Sequence, residues 1–234
     1  MSRGTQQVVL LLVGLSTAVM VVKGTYLNYV KPSLLPWLIV AAVVLVVLGV
    51  SGIVHELRHA TSAGHGHAHR TWSTWLLVVP IALVAFVVPP PIDARGANPP
   101  PAAVGAPQLR PFPPLPPGPA PEVALPEAVM RAAADSGHSL DGRTITLTGF
   151  TVPRPDGVDL GRVVIVCCAA DAQLARVHLA GPAAPTAGDY PEDTWVQVRG
   201  QVQPGSARPD DGYVPTMVVA DVVRIERPKN AYAY

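Results

Sequence analysis

Two adjacent cysteines, Cys167 and Cys168, are the chain's only sulfhydryls, and five of its 7 histidines crowd one short stretch. That stretch reads His55-Glu56-Leu57-Arg58-His59, then His65-Gly66-His67-Ala68-His69. Thiolates and neutral imidazoles are the side chains that hold zinc and its neighbours, and short His-rich tracts commonly bind metal. The candidate metal ligands are therefore His65, His67, His69, His55 and His59 in one loop, and Cys167 and Cys168 elsewhere. Asp171 or His178 would join the cysteines from nearby strands. A transition metal such as zinc is the cofactor class implied. A plainer reading makes the histidines a polar loop against lipid headgroups and the cysteines two thiols of a core strand.

Adjacent Cα atoms lie about 3.8 Å apart, shorter than the usual disulfide span of about 4.4–6.8 Å, which disfavours a relaxed disulfide. The run Val163-Val164-Ile165-Val166-Cys167-Cys168 reads as a strand. Neighbouring side chains on a strand point to opposite faces, so one sulfur is expected inward and the other toward a groove. His55-Glu56-Leu57-Arg58-His59 also matches H-E-x-x-H, the zinc-protease pattern. A catalytic zinc needs a third protein ligand, and none is evident, so the match is read as fortuitous and no catalytic residue is assigned. An intramembrane metalloprotease stays the least favoured alternative.

The elements that must position these residues begin in a membrane. Only 14% of residues are charged and the mean hydropathy is +0.33, against about 25% charged in soluble domains. Apolar stretches over about 5–26, 34–54 and 72–90 each have the length of a spanning helix, which needs roughly 17–25 residues. They carry no internal charge, so they make a poor stand-alone transporter. The first is read as an uncleaved anchor, since Val21-Val22-Lys23-Gly24 is a poor cleavage site. The amino terminus is placed inside and the C-terminal domain outside, as a Pro-rich spacer suits an extracytoplasmic stalk. A net charge of +1 offers no field for nucleic acid.

The expected organisation is a membrane domain over 1–91 with a His-rich loop at 55–70, then a Pro-rich linker at 92–121. A β domain follows at 122–228, with a tail at 229–234. More than half of the 27 prolines fall within 89–126, which forbids helix or central strand there. Pro126–Ala134 reads as a short helix. Five runs then alternate apolar and polar residues: Arg143–Phe150, Arg162–Cys168, Gln173–Ala180, Thr194–Val202 and Tyr213–Ile225. The fold class is thus membrane α, three transmembrane helices, plus a C-terminal all-β domain, an OB-like five-stranded barrel with a short preceding helix. The aromatics Phe150, Tyr190, Trp195 and Tyr213 are scattered, so no stacking platform for nucleic acid is expected.

Several stretches together resemble the YcgQ-like family of bacterial permease subunits. They are Leu140-Asp141-Gly142-Arg143-Thr144-Ile145-Thr146-Leu147-Thr148-Gly149-Phe150, Val166-Cys167-Cys168-Ala169-Ala170-Asp171-Ala172, Asp193-Thr194-Trp195-Val196-Gln197-Val198-Arg199-Gly200, Val214-Pro215-Thr216-Met217 and the ending Pro228-Lys229-Asn230-Ala231-Tyr232-Ala233-Tyr234. The resemblance implies a partner, a larger multi-span permease in the lipid bilayer, and supplies no activity. The expectation is a multi-pass cell-membrane protein, a non-enzymatic accessory subunit of a two-component permease linked to metal handling. The alternative is a metal-binding chaperone or donor using the His-rich loop and the tail cysteines.

Overall fold

The structure is a computed structural model that describes residues 3–60, 91–97 and 107–234. The chain divides into two compact units, residues 1–91 and 92–234.

In the first unit, helix α1 (Arg3–Lys23) and helix α2 (Leu35–Ala60) form a hairpin. Gly24, with φ 72°, ends α1 in the left-handed conformation that favours glycine, and short 3-10 turns lead to Leu35. Pro36 lies in the first turn of α2, where no amide is lost. The helices approach at small residues: a Cβ on Gly49 would lie 2.9 Å from the Leu11 backbone nitrogen. Their outward faces are apolar, with Trp37, Val43, Val47 and Leu48 exposed. Both helices are long and apolar enough to cross a membrane, with mean hydropathy 1.7 over Gln6–Lys23 and 2.8 over Pro32–Glu56. Helix α2 extends past the expected end at 54, so His55 and His59 belong to a helix rather than a loop. The third expected span at 72–90, with His65, His67 and His69, lies outside the described residues.

The second unit is a five-stranded sheet domain. Helix α3 (Leu125–Ala134) precedes β1 (Thr144–Arg154), β2 (Gly157–Val164) and β3 (Gln173–Ala180). A short helix α4 (Ala184–Gly188), β4 (Trp195–Val202) and β5 (Thr216–Arg224) follow. The hydrogen-bonded order β1-β2-β3-β5-β4 returns to β1. The closure is uneven: a parallel seam of only His178↔Thr216, Leu179↔Met217 and Ala180↔Val218 joins β3 to β5, and β4 shifts register at Arg199/Gly200.

Period-2 alternation puts Ile145, Leu147, Leu160, Val177, Val196, Val198, Met217 and Val219 inside, where α3 covers them with Leu125 and Ala128. A second core at one end gathers Phe150, Val163, Ile165, Ala172, Leu174, Trp195, Ala231 and Tyr232. The expected tail is thus partly core: Tyr232 is 2% exposed, and Ala233 bridges to Val164. Residues 107–121, read from the sequence as spacer, are tied to this domain. The Thr146 amide donates to Pro121 O at 2.9 Å, and Arg131 Nη1 donates to Pro113 O at 2.9 Å. Phe112 is flanked by the guanidinium groups of Arg110 and Arg131.

The strand expected at Arg162–Cys168 is displaced. β2 begins at Gly157, after a tight turn that pairs Arg154 with Gly157, and stops at Val164. It stops because the next amides are claimed by a side chain, as the candidate site shows.

Candidate functional site

The two cysteines sit in the loop 166–171, between two residues buried in the second core. Ile165 and Ala172 are 0% and 1% exposed, and the Ile165 amide donates to Ala233 O at 3.0 Å. Between these anchors the chain turns outward: Val166 is 65% exposed, Cys167 is exposed and Cys168 is half-buried. Asp171 shapes the turn from within. Its Oδ1 accepts from the Val166 amide at 2.8 Å, and its Oδ2 accepts from the Cys167 and Cys168 amides at 2.8 and 3.1 Å. Three consecutive amides that a strand would send to a neighbour therefore converge on one carboxylate. A 3-10 turn, Ala169–Asp171, completes the loop with the Asp171 amide donating to Cys168 O at 3.0 Å.

This geometry corrects the strand-based expectation for the cysteines. They do not point to opposite faces of a strand, and neither is a core thiol. Both are free thiols, and their Sγ atoms lie 3.7 Å apart. With the Asp171 carboxylate, their ligand atoms all fall within 4.8 Å of one another. Among the described residues this is the one group of three or more His, Cys, Asp or Glu side chains placed to share an ion.

The charges in the loop are tightly linked. The Cys167 thiol first, and then the amides of Cys167, Val166 and Cys168, hold the Asp171 carboxyl down at about 2, against an opposing desolvation that is second in size only to the thiol's effect. In return, the hydrogen bond to Asp171 and then the neighbouring Cys168 push the Cys167 thiol up to about 11. The loop thus sets a carboxylate beside a protonated Cys167 thiol, not an activated Cys167 thiolate. Redox or nucleophilic chemistry calls for a lowered thiol pKa, the opposite of what Cys167 has. A cation is a better match, because its charge favours deprotonated sulfur and coordination by carboxylate.

His178, the other expected partner of the cysteines, is engaged elsewhere. It lies opposite Asp159 on the β2–β3 ladder. Its Nδ1 is 2.6 Å from Asp159 Oδ1, and its Nε2 is 2.6 Å from Asp211 Oδ2. Asp159 is fully buried and also faces Arg154 Nη1 and Arg176 Nη1, each at 3.5 Å. The sequence reading missed this cluster. The available signal was Asp159 itself, a charge between Val158 and Leu160 in a segment that alternates like a strand. His55, Glu56 and His59 all lie on α2.

Comparison with known proteins follows the same two-unit division. The DUF1980 N-terminal domain matches residues 6–98, and the DUF1980 C-terminal domain matches residues 128–234, which includes the whole cysteine loop. No curated protein and no solved structure matches the chain. With both domains present in order, the chain belongs to the DUF1980 family of uncharacterised proteins.

Proposed function

We propose that this chain is a non-enzymatic, membrane-anchored accessory subunit of a two-component permease, and that it handles a transition-metal ion. The observation that carries the reading is the convergence of Cys167 Sγ, Cys168 Sγ and the Asp171 carboxylate on an exposed loop held at both ends by the core. Side chains of those types, grouped on the surface, suit capture and release of an ion rather than its permanent burial. Helices α1 and α2 supply the anchor, and the apolar sequence at 72–90 has the length for a third span. The domain beyond them lies on the extracytoplasmic side. Its strand order, with a parallel β3–β5 closure, fits an OB-like barrel used as a rigid mount for loops. The multi-span permease partner comes from the resemblance to YcgQ-like subunits.

The test is purification of the full-length protein from native membranes, followed by determination of bound metal and co-purifying proteins. Zinc-class metal and a multi-span permease should be recovered together. The Cys167→Ser/Cys168→Ser protein should lose the metal and keep the permease, while His65→Ala/His67→Ala/His69→Ala should keep both. Metal that follows the histidines instead would favour the donor-protein alternative, with the His-rich loop as its binding element. Recovery with neither metal nor permease would end the proposal.

A further inference from the structure

The spacing of the two sulfurs carries information about which ions they can share. For a tetrahedral ion with metal–sulfur bonds of about 2.3 Å, two thiolates lie about 3.8 Å apart, whereas a straight S–metal–S line at that length needs about 4.6 Å. The Sγ atoms of Cys167 and Cys168 are 3.7 Å apart, so they meet the tetrahedral requirement with almost no movement. A disulfide, at about 2.05 Å, would require them to close by far more.

The third ligand follows from counting lone pairs on Asp171. A carboxylate offers about four acceptor sites. Two amides occupy Oδ2 and one occupies Oδ1, and the Cys167 thiol also bonds to the carboxylate; loss of that thiol proton to a bound cation would free one site. The chain can therefore present two sulfurs and one oxygen while the three amide hydrogen bonds that shape the loop stay in place. Among the described residues no fourth ligand joins this group, and His178 is held by Asp159 and Asp211. The exposure of Val166 and Cys167 turns the remaining direction toward solvent.

We infer that Cys167, Cys168 and Asp171 form a three-ligand tetrahedral site for a zinc-class divalent cation, with a fourth position open to an exchanging ligand. The inference rests on the metal-handling reading above and specifies its coordination. Structural zinc sites are closed by four protein ligands, and sites that keep three exchange the fourth. An open fourth position lets an incoming thiolate, imidazole or carboxylate bind the ion before the cysteines release it. The loop would then act as a transfer post, and the ligand that completes it would belong to the molecule that delivers or receives the ion.

Cobalt(II) is the probe, added to the full-length protein in detergent under a non-thiol reductant. The chain has 2 cysteines, so a sulfur-to-cobalt charge-transfer band reports this loop alone, whatever the histidines bind. The expected result is that band at one equivalent, with intense visible bands of tetrahedral cobalt. Added imidazole should shift the visible bands without removing the charge transfer, and one equivalent of zinc should bleach both. The Cys167→Ser and Cys168→Ser single variants should each weaken zinc binding by about 100-fold. A charge-transfer band with weak octahedral visible absorption, or visible bands that ignore imidazole, would overturn the open tetrahedral site and leave the metal-handling reading standing. Absence of the charge-transfer band would remove both.

Discussion

Two polar clusters on the same β domain use their carboxylates in opposite ways. Around Asp159, charge is met by side-chain charge: His178 faces two carboxylates, Asp159 Oδ1 is hydrogen-bonded by His178 and Arg154, and its Oδ2, without a hydrogen bond, faces Arg176 at 3.5 Å. Around Asp171, the carboxylate is answered by three backbone amides and by the Cys167 thiol, with no charged side chain. A residue list alone ranks the Asp–His–Asp cluster as the better site, since it has more charge and an imidazole. The contacts reverse that ranking. Guanidinium groups beside Asp159 would repel a cation, whereas the Asp171 loop carries ligands and no competing positive side chain within the group.

The largest effect expected from this contrast is on stability. Asp159→Ala leaves two guanidinium groups and His178 facing a buried gap, and breaking such a buried network costs about 3–5 kcal/mol. Chemical denaturation of the full-length protein should show that loss with metal content per folded protein unchanged. Reduced metal with normal stability would mean that the two clusters had been assigned the wrong roles. Cys167→Ser and Cys168→Ser, by contrast, should stay within about 0.5 kcal/mol of the parent.

A middle-sized effect concerns thiol reactivity. With its pKa near 11, the metal-free Cys167 is almost wholly protonated at neutral pH. Asp171→Asn removes the first cause of that rise, and its alkylation rate at pH 8 should increase about tenfold, since a larger thiolate fraction outweighs lower nucleophilicity. The comparison needs only maleimide or iodoacetamide kinetics under metal-free conditions. A slower rate in the variant would show that Asp171 does not suppress the thiolate.

The smallest effect is a titration. The Asp171 pKa is depressed in the folded state, so its contribution is complete above the ordinary carboxylate value and fades as pH falls through about 2. The amide resonances of Val166, Cys167 and Cys168 should therefore hold steady down to about pH 3 and move together below it. A shared midpoint near 4 would indicate that the three amides do not grip the carboxylate.

Much of the scaffold was legible because side-chain period and backbone state agree. β3 runs over Gln173–Ala180 as its alternation predicts, and β4 and α3 differ from expectation by one residue at their starts. The cysteines stood out by rarity, and Asp171 by its place three residues on. β2 was misread because Val163–Cys168 is the most apolar segment nearby, yet its last amides bond to Asp171 instead of a strand. Hydropathy records side chains, while the course of this segment was decided by where backbone donors went. The Asp159 cluster was hidden for a different reason: its members come from β1, β2, β3 and the turn before β5, and only the ladder brings them together.

The grip of Asp171 on three successive amides also bears on speed. A loop that must fold around its ion loses chain entropy on filling and has to reopen before it empties. Here the backbone is already ordered by a residue of the chain, and both ends are fixed in a core. In the proposed site the filled and empty forms would differ by side-chain rotations, so departure of an ion would be limited by breaking a few ligand bonds and not by unravelling the protein. Rigidity at the base of this loop thus favours rapid turnover at its tip.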